Sequence, residues 1–238
     1  ASLGRAERVR AGAVEPEEFD LDLATLPDSA TELAVLARPM IALVGARNAS
    51  SLGTRMAKKL AADLTDAGFV IVSGLARGID TAAHKGALET GTIAVVASGI
   101  DVIYPEENTG LYEEIKERGL ILAESPLGQQ PYAQAFPKRN RIVSGLSSAT
   151  VVIEATMRSG SLITARDAME QGRELFAIPG SVHNPLARGC HALIRDGAKL
   201  VETAEDVLEE LQNLVERPSL STLEKNSQTT QKTAINTA

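Results

Sequence analysis

Six short apolar runs recur along the chain from residue 41 onward: IALVGA (41–46), FVIVSG (69–74), IAVVAS (93–98), LILAES (120–125), TVVIEA (150–155) and LFAIPG (175–180). They are continuous in apolar character rather than alternating. Strands of a parallel sheet, covered on both faces, require that pattern. The stretches between them follow a helical period. LGTRMAKKLAADLTDAG places Met56, Leu60 and Leu64 at four-residue steps and stops at Gly68, a helix end marked by glycine. DTAAHKGALETG and SLITARDAMEQG behave alike and close at Gly91 and Gly172, and AEDVLEELQNLVE (204–216) sets Val207, Leu208, Leu211, Leu214 and Val215 along one side. Strand alternating with helix predicts an open α/β sheet.

The flanks break this rhythm. Residues 1–38 read as an acidic extension, because Val14 to Ala37 holds seven acids and no Lys or Arg, with a helix expected near 29–37. Residues 217–238 are rich in Ser, Thr, Asn and Gln, and a disordered polar tail is expected there. The folded part is therefore placed at 39–216.

Composition narrows the class. With 238 residues, 44% of them hydrophobic, the chain suits one globular domain with extensions. No apolar run approaches the roughly 20 residues of a membrane span, so no membrane partner is expected. Cys190 is the single cysteine and cannot form an intrachain disulfide, which favours a cytoplasmic location. Aromatics are 3% of the chain, too few for a broad stacking platform but enough for one or two rings.

Net charge is -7, yet no acid occurs between Glu124 and Glu154, and FPKRNRIVSGLS (136–147) sets Lys138, Arg139 and Arg141 just after Phe136. In a parallel sheet the loops that follow strands share one rim, where ligands bind. GARNASSLG (45–53), SGLARGID (73–80), the FPKRNR stretch, TMRSGSLITA (156–165) and SVHNPLARG (181–189) all fall in such positions. Gly45, Gly74, Gly78, Gly160 and Gly180 permit close backbone approach. Ser159, Ser161 and the amides opening the next helix form an anion seat. Arg47, Arg77, Lys138, Arg139, Arg141 and Arg158 add positive charge. Repeated phosphate seats suit a polynucleotide. Screening beyond about 10 Å lets a local basic cluster work on an acidic protein. Phe136 would stack a base or sit in the core. Asn140 would cap a helix or meet a base edge. The cations would neutralise phosphates, or some of them pair with Glu124 or Glu154. A dinucleotide cofactor is disfavoured, since Ala46 and Arg47 stand where the Gly-rich fingerprint wants a second glycine, and no cofactor is expected.

The stretches IALVGAR, VSGLARGIDTAAHKGAL, IDVIYPEEN, FPKRNRIVSGLS, RSGSLITARDAMEQGRE and PGSVHNPLARGCHALIRDGAKLVE, in this order over about residues 40–212, resemble the DprA/Smf family of bacterial transformation. The resemblance implies an extended Rossmann-like, doubly wound, mostly parallel sheet with helices on both faces, and a homodimer. It implies a mediator rather than an enzyme, one that binds single-stranded DNA in a basic pocket and helps load the RecA recombinase. Carried over, the pocket uses Arg47, the FPKRNR cluster and the RSGS turn. The small helical domain often found upstream in the family and the winged helix downstream have no counterpart pattern here. The dimer surface is assigned to GCHALIRDGAKLVE (189–202).

Other chemistry was weighed on the same residues. Asp80 and His84, four apart, would run acid–base chemistry, or serve the helix start and a structural hydrogen bond. His183, Cys190 and His191 offer zinc-type ligands, but match no common zinc spacing. Glu106 and Glu107 fit a cation, or more simply the first turn of a helix after Pro105. The enzymatic alternative is a nucleotide phosphoribohydrolase on a related sheet. It wants a Gly-Gly-x-Gly-Thr turn followed by a catalytic Glu on the helix; here the turn is RSGSLITA, with Ile163 and Thr164 where the acid would stand, and Glu154 and Glu170, neither in that position, are the substitutes.

Overall fold

A computed structural model describes residues 35–216. The acidic extension through residue 34 and the polar tail from 217 lie outside the described residues. The apolar runs become β1 (Met40–Gly45), β2 (Val70–Ser73), β3 (Thr92–Gly99), β4 (Leu120–Ser125), β5 (Ala149–Ile153) and β6 (Glu174–Ala177). A two-residue β7 (Lys199–Leu200) completes the seven-stranded sheet. It is too short and too polar to leave a signal in the sequence. Every pairing is parallel, in the order β4-β3-β2-β1-β5-β6-β7.

The connecting helices are α1 (Ser51–Asp66), α2 (Ile79–Ala87), α3 (Thr109–Arg118), α4 (Ala135–Gly145), α5 (Ser161–Glu170) and α6 (Arg188–Arg195). Alternate strand residues feed two layers. Met40, Ala42, Val44, Val72 and Val152 join Ile142 and Val143 of α4, Ala165 of α5 and Cys190 of α6 in one cluster. Ala94, Val96, Ile121 and Ala123 face Leu111, Tyr112 and Ile115 of α3 in another. The sheet is thus doubly wound, in the Rossmann-like manner. After β1 the chain moves one way along the sheet and after β5 the other, so the connections leaving the C-terminal ends of these neighbouring strands part to opposite sides. A crevice opens at such a switch point.

One local feature differs from the sequence reading. FPKRNRIVSG lies within helix α4 rather than a loop. Pro137 is tolerated because first-turn amides have no intrahelical partner. Of the apolar residues in 189–202, Cys190 and Leu193 belong to the core, while Leu200 on the edge strand is 52% exposed. The chain also divides into two compact units, one through Leu200 and one from Val201. In the second, α7 (Ala204–Glu216) opens on a reciprocal cap: Asp206 N donates to Thr203 Oγ1 at 3.3 Å, and Thr203 N donates to the Asp206 carboxylate at 2.9 Å.

Candidate functional site

The crevice is a cavity of about 610 Å³ to which all five loops named from the sequence contribute. Gly45, Arg47 and Asn48 come from the β1 loop, Gly74, Ala76 and Asp80 from the β2 loop, and Leu186 from the β6 loop. Thr156, Arg158, Ser159, Gly160 and Ser161 come from the β5 loop and the start of α5. Helix α4 lends Pro137 from its first turn, and Phe136, Arg139, Asn140 and Val143, the last four spaced i, i+3, i+4, i+7 along one helical face.

That period divides the basic cluster. Lys138 and Arg141, three apart on another side of α4, both pair with Glu124, Lys138 at 3.3 Å, and neither lines the cavity. Arg139 does line it but is 6% exposed. Its guanidinium donates to Gly74 O at 2.5 Å and to Val95 O. Burial lowers its pKa to about 10, while Asp80 raises it and Arg47 lowers it further, so it remains a cation at neutral pH. Asp80 accepts from Gly74 N at 3.2 Å and Ala76 N at 3.3 Å. Burial pushes its carboxyl above the usual range, against the pull of Arg139 and the two amides. Gly74 is therefore gripped at its amide by Asp80 and at its carbonyl by Arg139. A side chain there would meet the Arg139 guanidinium at 2.6 Å, so only glycine fits. Arg77 lies beside the cavity, 3.5 Å from Glu107, with both side chains 55% exposed. Arg47 and Arg158 are the exposed cations of the cavity wall.

Among the helix N-termini on this rim, those of α1 and α5 are treated oppositely. At α1, Ser50 caps Gly53 N at 3.0 Å, while Glu154 accepts from Ser50 N at 2.8 Å and from Ser50 Oγ at 2.5 Å. Glu154 reaches this place through a backbone φ of 56°, a conformation costing a non-glycine residue about 1 kcal/mol or more. A side chain at position 53 would collide with its carboxylate. The chain's own anion thus fills the seat where a nucleotide phosphate would rest in a dinucleotide-binding sheet. At α5 no side chain caps the helix. Ser159 Oγ accepts instead from Thr156 N at 2.9 Å, shaping the preceding turn. Ser161 Oγ has no hydrogen-bond partner although the residue is 8% exposed and lines the cavity. The start of α5 thus opens uncapped onto the cavity.

The remaining chemical candidates separate. His84 is fully buried and 2.7 Å from Thr92 Oγ1 through Nδ1. Thr92 gives its proton to Ile71 O, so Nδ1 is the donor. Burial, then Arg139, lowers the His84 pKa to about 3. Asp80 and His84 thus have separate structural partners. His191 Nε2 lies 3.0 Å from Gly180 O, and burial raises the Cys190 thiol to about 11. Among the described residues no three His, Cys, Asp or Glu side chains form a metal-binding group. Glu106 opens a short 3-10 turn after Pro105. Glu154 is engaged by Ser50 as described, and Glu170 ends α5.

One contact had no place in the sequence reading. The Tyr104 ring meets Phe136 at 5.7 Å between centroids, tilted 53°, and the Arg47 guanidinium lies 5.0 Å from the centre of the same Phe136 ring. Tyr104 stands on the loop after β3, which opens on the same edge as the other strand-to-helix loops.

Comparison with known proteins bears on these features. The family described as DNA recombination-mediator protein A matches residues 30–212. The DNA processing protein DprA of Streptococcus pneumoniae is 50% identical over 182 residues, covering 76% of this chain and 64% of that protein. Protein Smf of Escherichia coli is 47% identical over 184 residues, 76% of this chain and 49% of its own. The chain thus spans from about half to just under two-thirds of these relatives. A solved structure of DNA processing protein A from Helicobacter pylori, described for its single-stranded DNA binding mode, superposes with a TM-score of 0.70 at 28% identity, over 84% of this chain and 94% of that one. A molybdenum cofactor binding protein from Rippkaea orientalis shares the fold alone, with a TM-score of 0.54 at 15% identity over 75% of this chain and 98% of its own. Among the described residues no helix is long and apolar enough to cross a membrane.

Proposed function

Since this chain belongs to the DNA recombination-mediator protein A family, we propose that its rim cavity binds single-stranded DNA and presents it to the RecA recombinase. The observation that carries this reading is the convergence of Arg47, Arg158 and the uncapped start of α5, with its unpartnered Ser161 hydroxyl, on one cavity beside Phe136. Guanidinium groups and helix-start amides take phosphates whatever the base sequence. An open rim accepts a splayed strand more readily than a duplex. The protein acts as a binder that hands on its strand, as a homodimer in the cytoplasm, and catalyses no step itself. The phosphoribohydrolase alternative has no acid in the α5 turn, and its substitute Glu154 is held by Ser50.

Gel-shift titration with oligo-dT at two salt concentrations tests the binding. Wild-type protein is expected to retain the oligonucleotide and to lose affinity steeply with salt. Arg47→Ala should weaken retention of all sequences alike. Unchanged retention by that variant would remove the cavity from the reading. Faster recombinase assembly on oligo-dT in the presence of the wild-type chain tests the second half.

A further inference from the structure

Phe136 is the ring nearest the cations in sequence, but its surroundings give it another task. Arg47 covers it from one direction and Tyr104 abuts it from another. Its own surface is largely used by these neighbours, whereas Tyr104 is 45% exposed. Tyr104 stands on the loop after β3, with Pro105 behind it leading into the 3-10 turn. Together with Arg77, Ser98 and Phe136 it borders a notch of about 30 Å³ that shares Arg47, Phe136 and Arg139 with the main cavity. The notch holds about one water and no base, so a base in this region lies on the Tyr104 face rather than inside. Arg77 flanks that face, and its exposed pairing with Glu107 contributes little stability, so a phosphate can displace the carboxylate.

We propose that Tyr104 is the base-stacking surface of the single-strand site, with Phe136 as the support that holds Tyr104 and Arg47 in place. The inference rests on the single-strand reading above and extends its track past the cavity, towards Arg77. An unpaired base has a free face for the ring, and stacking of this kind tolerates any sequence. A duplex has already used those faces.

The chain contains no tryptophan, so Tyr104→Trp introduces a single reporter. Its emission should be quenched by oligo-dT, saturating at the same titre as a gel shift. Tyr104→Ala should bind oligo-dT about tenfold more weakly, the size of one lost stack, with an unchanged salt slope. Tyr104→Phe should bind as wild type does. Urea unfolding of each variant separates loss of the ring from loss of the fold. A Tyr104→Trp chain that binds oligo-dT with unaltered emission, or a folded Tyr104→Ala chain of wild-type affinity, overturns this assignment and leaves the single-strand reading standing. A wild-type chain that retains no oligo-dT brings down both.

Discussion

Arg139 is the residue on which sequence and structure assign different work, and replacing it by alanine separates the two. A cation that meets phosphate directly contributes a slope of about 0.7 in log K against log salt on a single strand. Arg139 is 6% exposed and spends its donors on Gly74 O and Val95 O. Its removal orphans two carbonyls and strips Asp80 of its nearest opposite charge. Breaking a buried charge arrangement of this kind costs about 3–5 kcal/mol. For a domain of this size each kcal/mol moves the melting temperature by about 2–4 °C, so a fall of roughly 6–20 °C is expected. Arg139→Lys should recover only part of it, because an ammonium cannot keep both carbonyl bonds of Nη1 and the Nε bond to Asn140 Oδ1 at once. Differential scanning calorimetry reads the first effect and oligo-dT titration across salt the second. The expected result is a much less stable protein whose residual binding keeps the wild-type salt slope. An Arg139→Ala protein with unchanged melting temperature and a slope reduced by about 0.7 would refute the reasoning and return Arg139 to the phosphates.

Other outcomes follow from neighbouring residues. Arg158→Ala should lower the salt slope on oligo-dT by about 0.7, while Lys138→Ala should change it less, because Lys138 shares Glu124 with Arg141. Glu154→Ala should cost about 2 kcal/mol in urea unfolding, from the charge-assisted bonds to Ser50, and inorganic phosphate should then stabilise the variant more than it stabilises the wild type. His84 keeps a pKa near 3 when folded and returns towards 6.5 when unfolded. The unfolded chain therefore binds the extra proton between these values, and stability that is complete above pH 6.5 is lost as pH falls, by up to about 1.4 kcal/mol per unit. Asp80, raised by burial, works with the opposite sign above 3.8, so the comparison to make is wild type against His84→Gln, whose acid-side decline should be shallower in urea titrations at pH 6.5, 5.5 and 4.5.

The strands were legible because two-sided burial writes continuous apolar runs, and the rim followed from parallel connectivity. Arg47, Ser159 and Ser161 could be placed from those rules alone. The division within FPKRNR could not. It depends on the phase of a helix, which the apolar pattern marks only weakly because the buried positions of α4 include Arg139. β7 left no trace, since two residues carry no period. Tyr104 was overlooked although its loop obeys the same connectivity, because its ring partner lies 32 positions away in sequence and nothing local announces the contact.

The carboxylate of Glu154, lodged against the start of α1, has a bearing on life among small molecules. ATP and the nicotinamide cofactors are abundant wherever DNA is handled, and a fold of this type ordinarily offers them a grip at its first helix. Here that grip is occupied by a covalently attached tenant, whose high local concentration sets a threshold that a free nucleotide must exceed. On the single-strand reading proposed above, the uncapped start of α5 suits a polymer, whose many phosphates can reach it together with the arginines beside it.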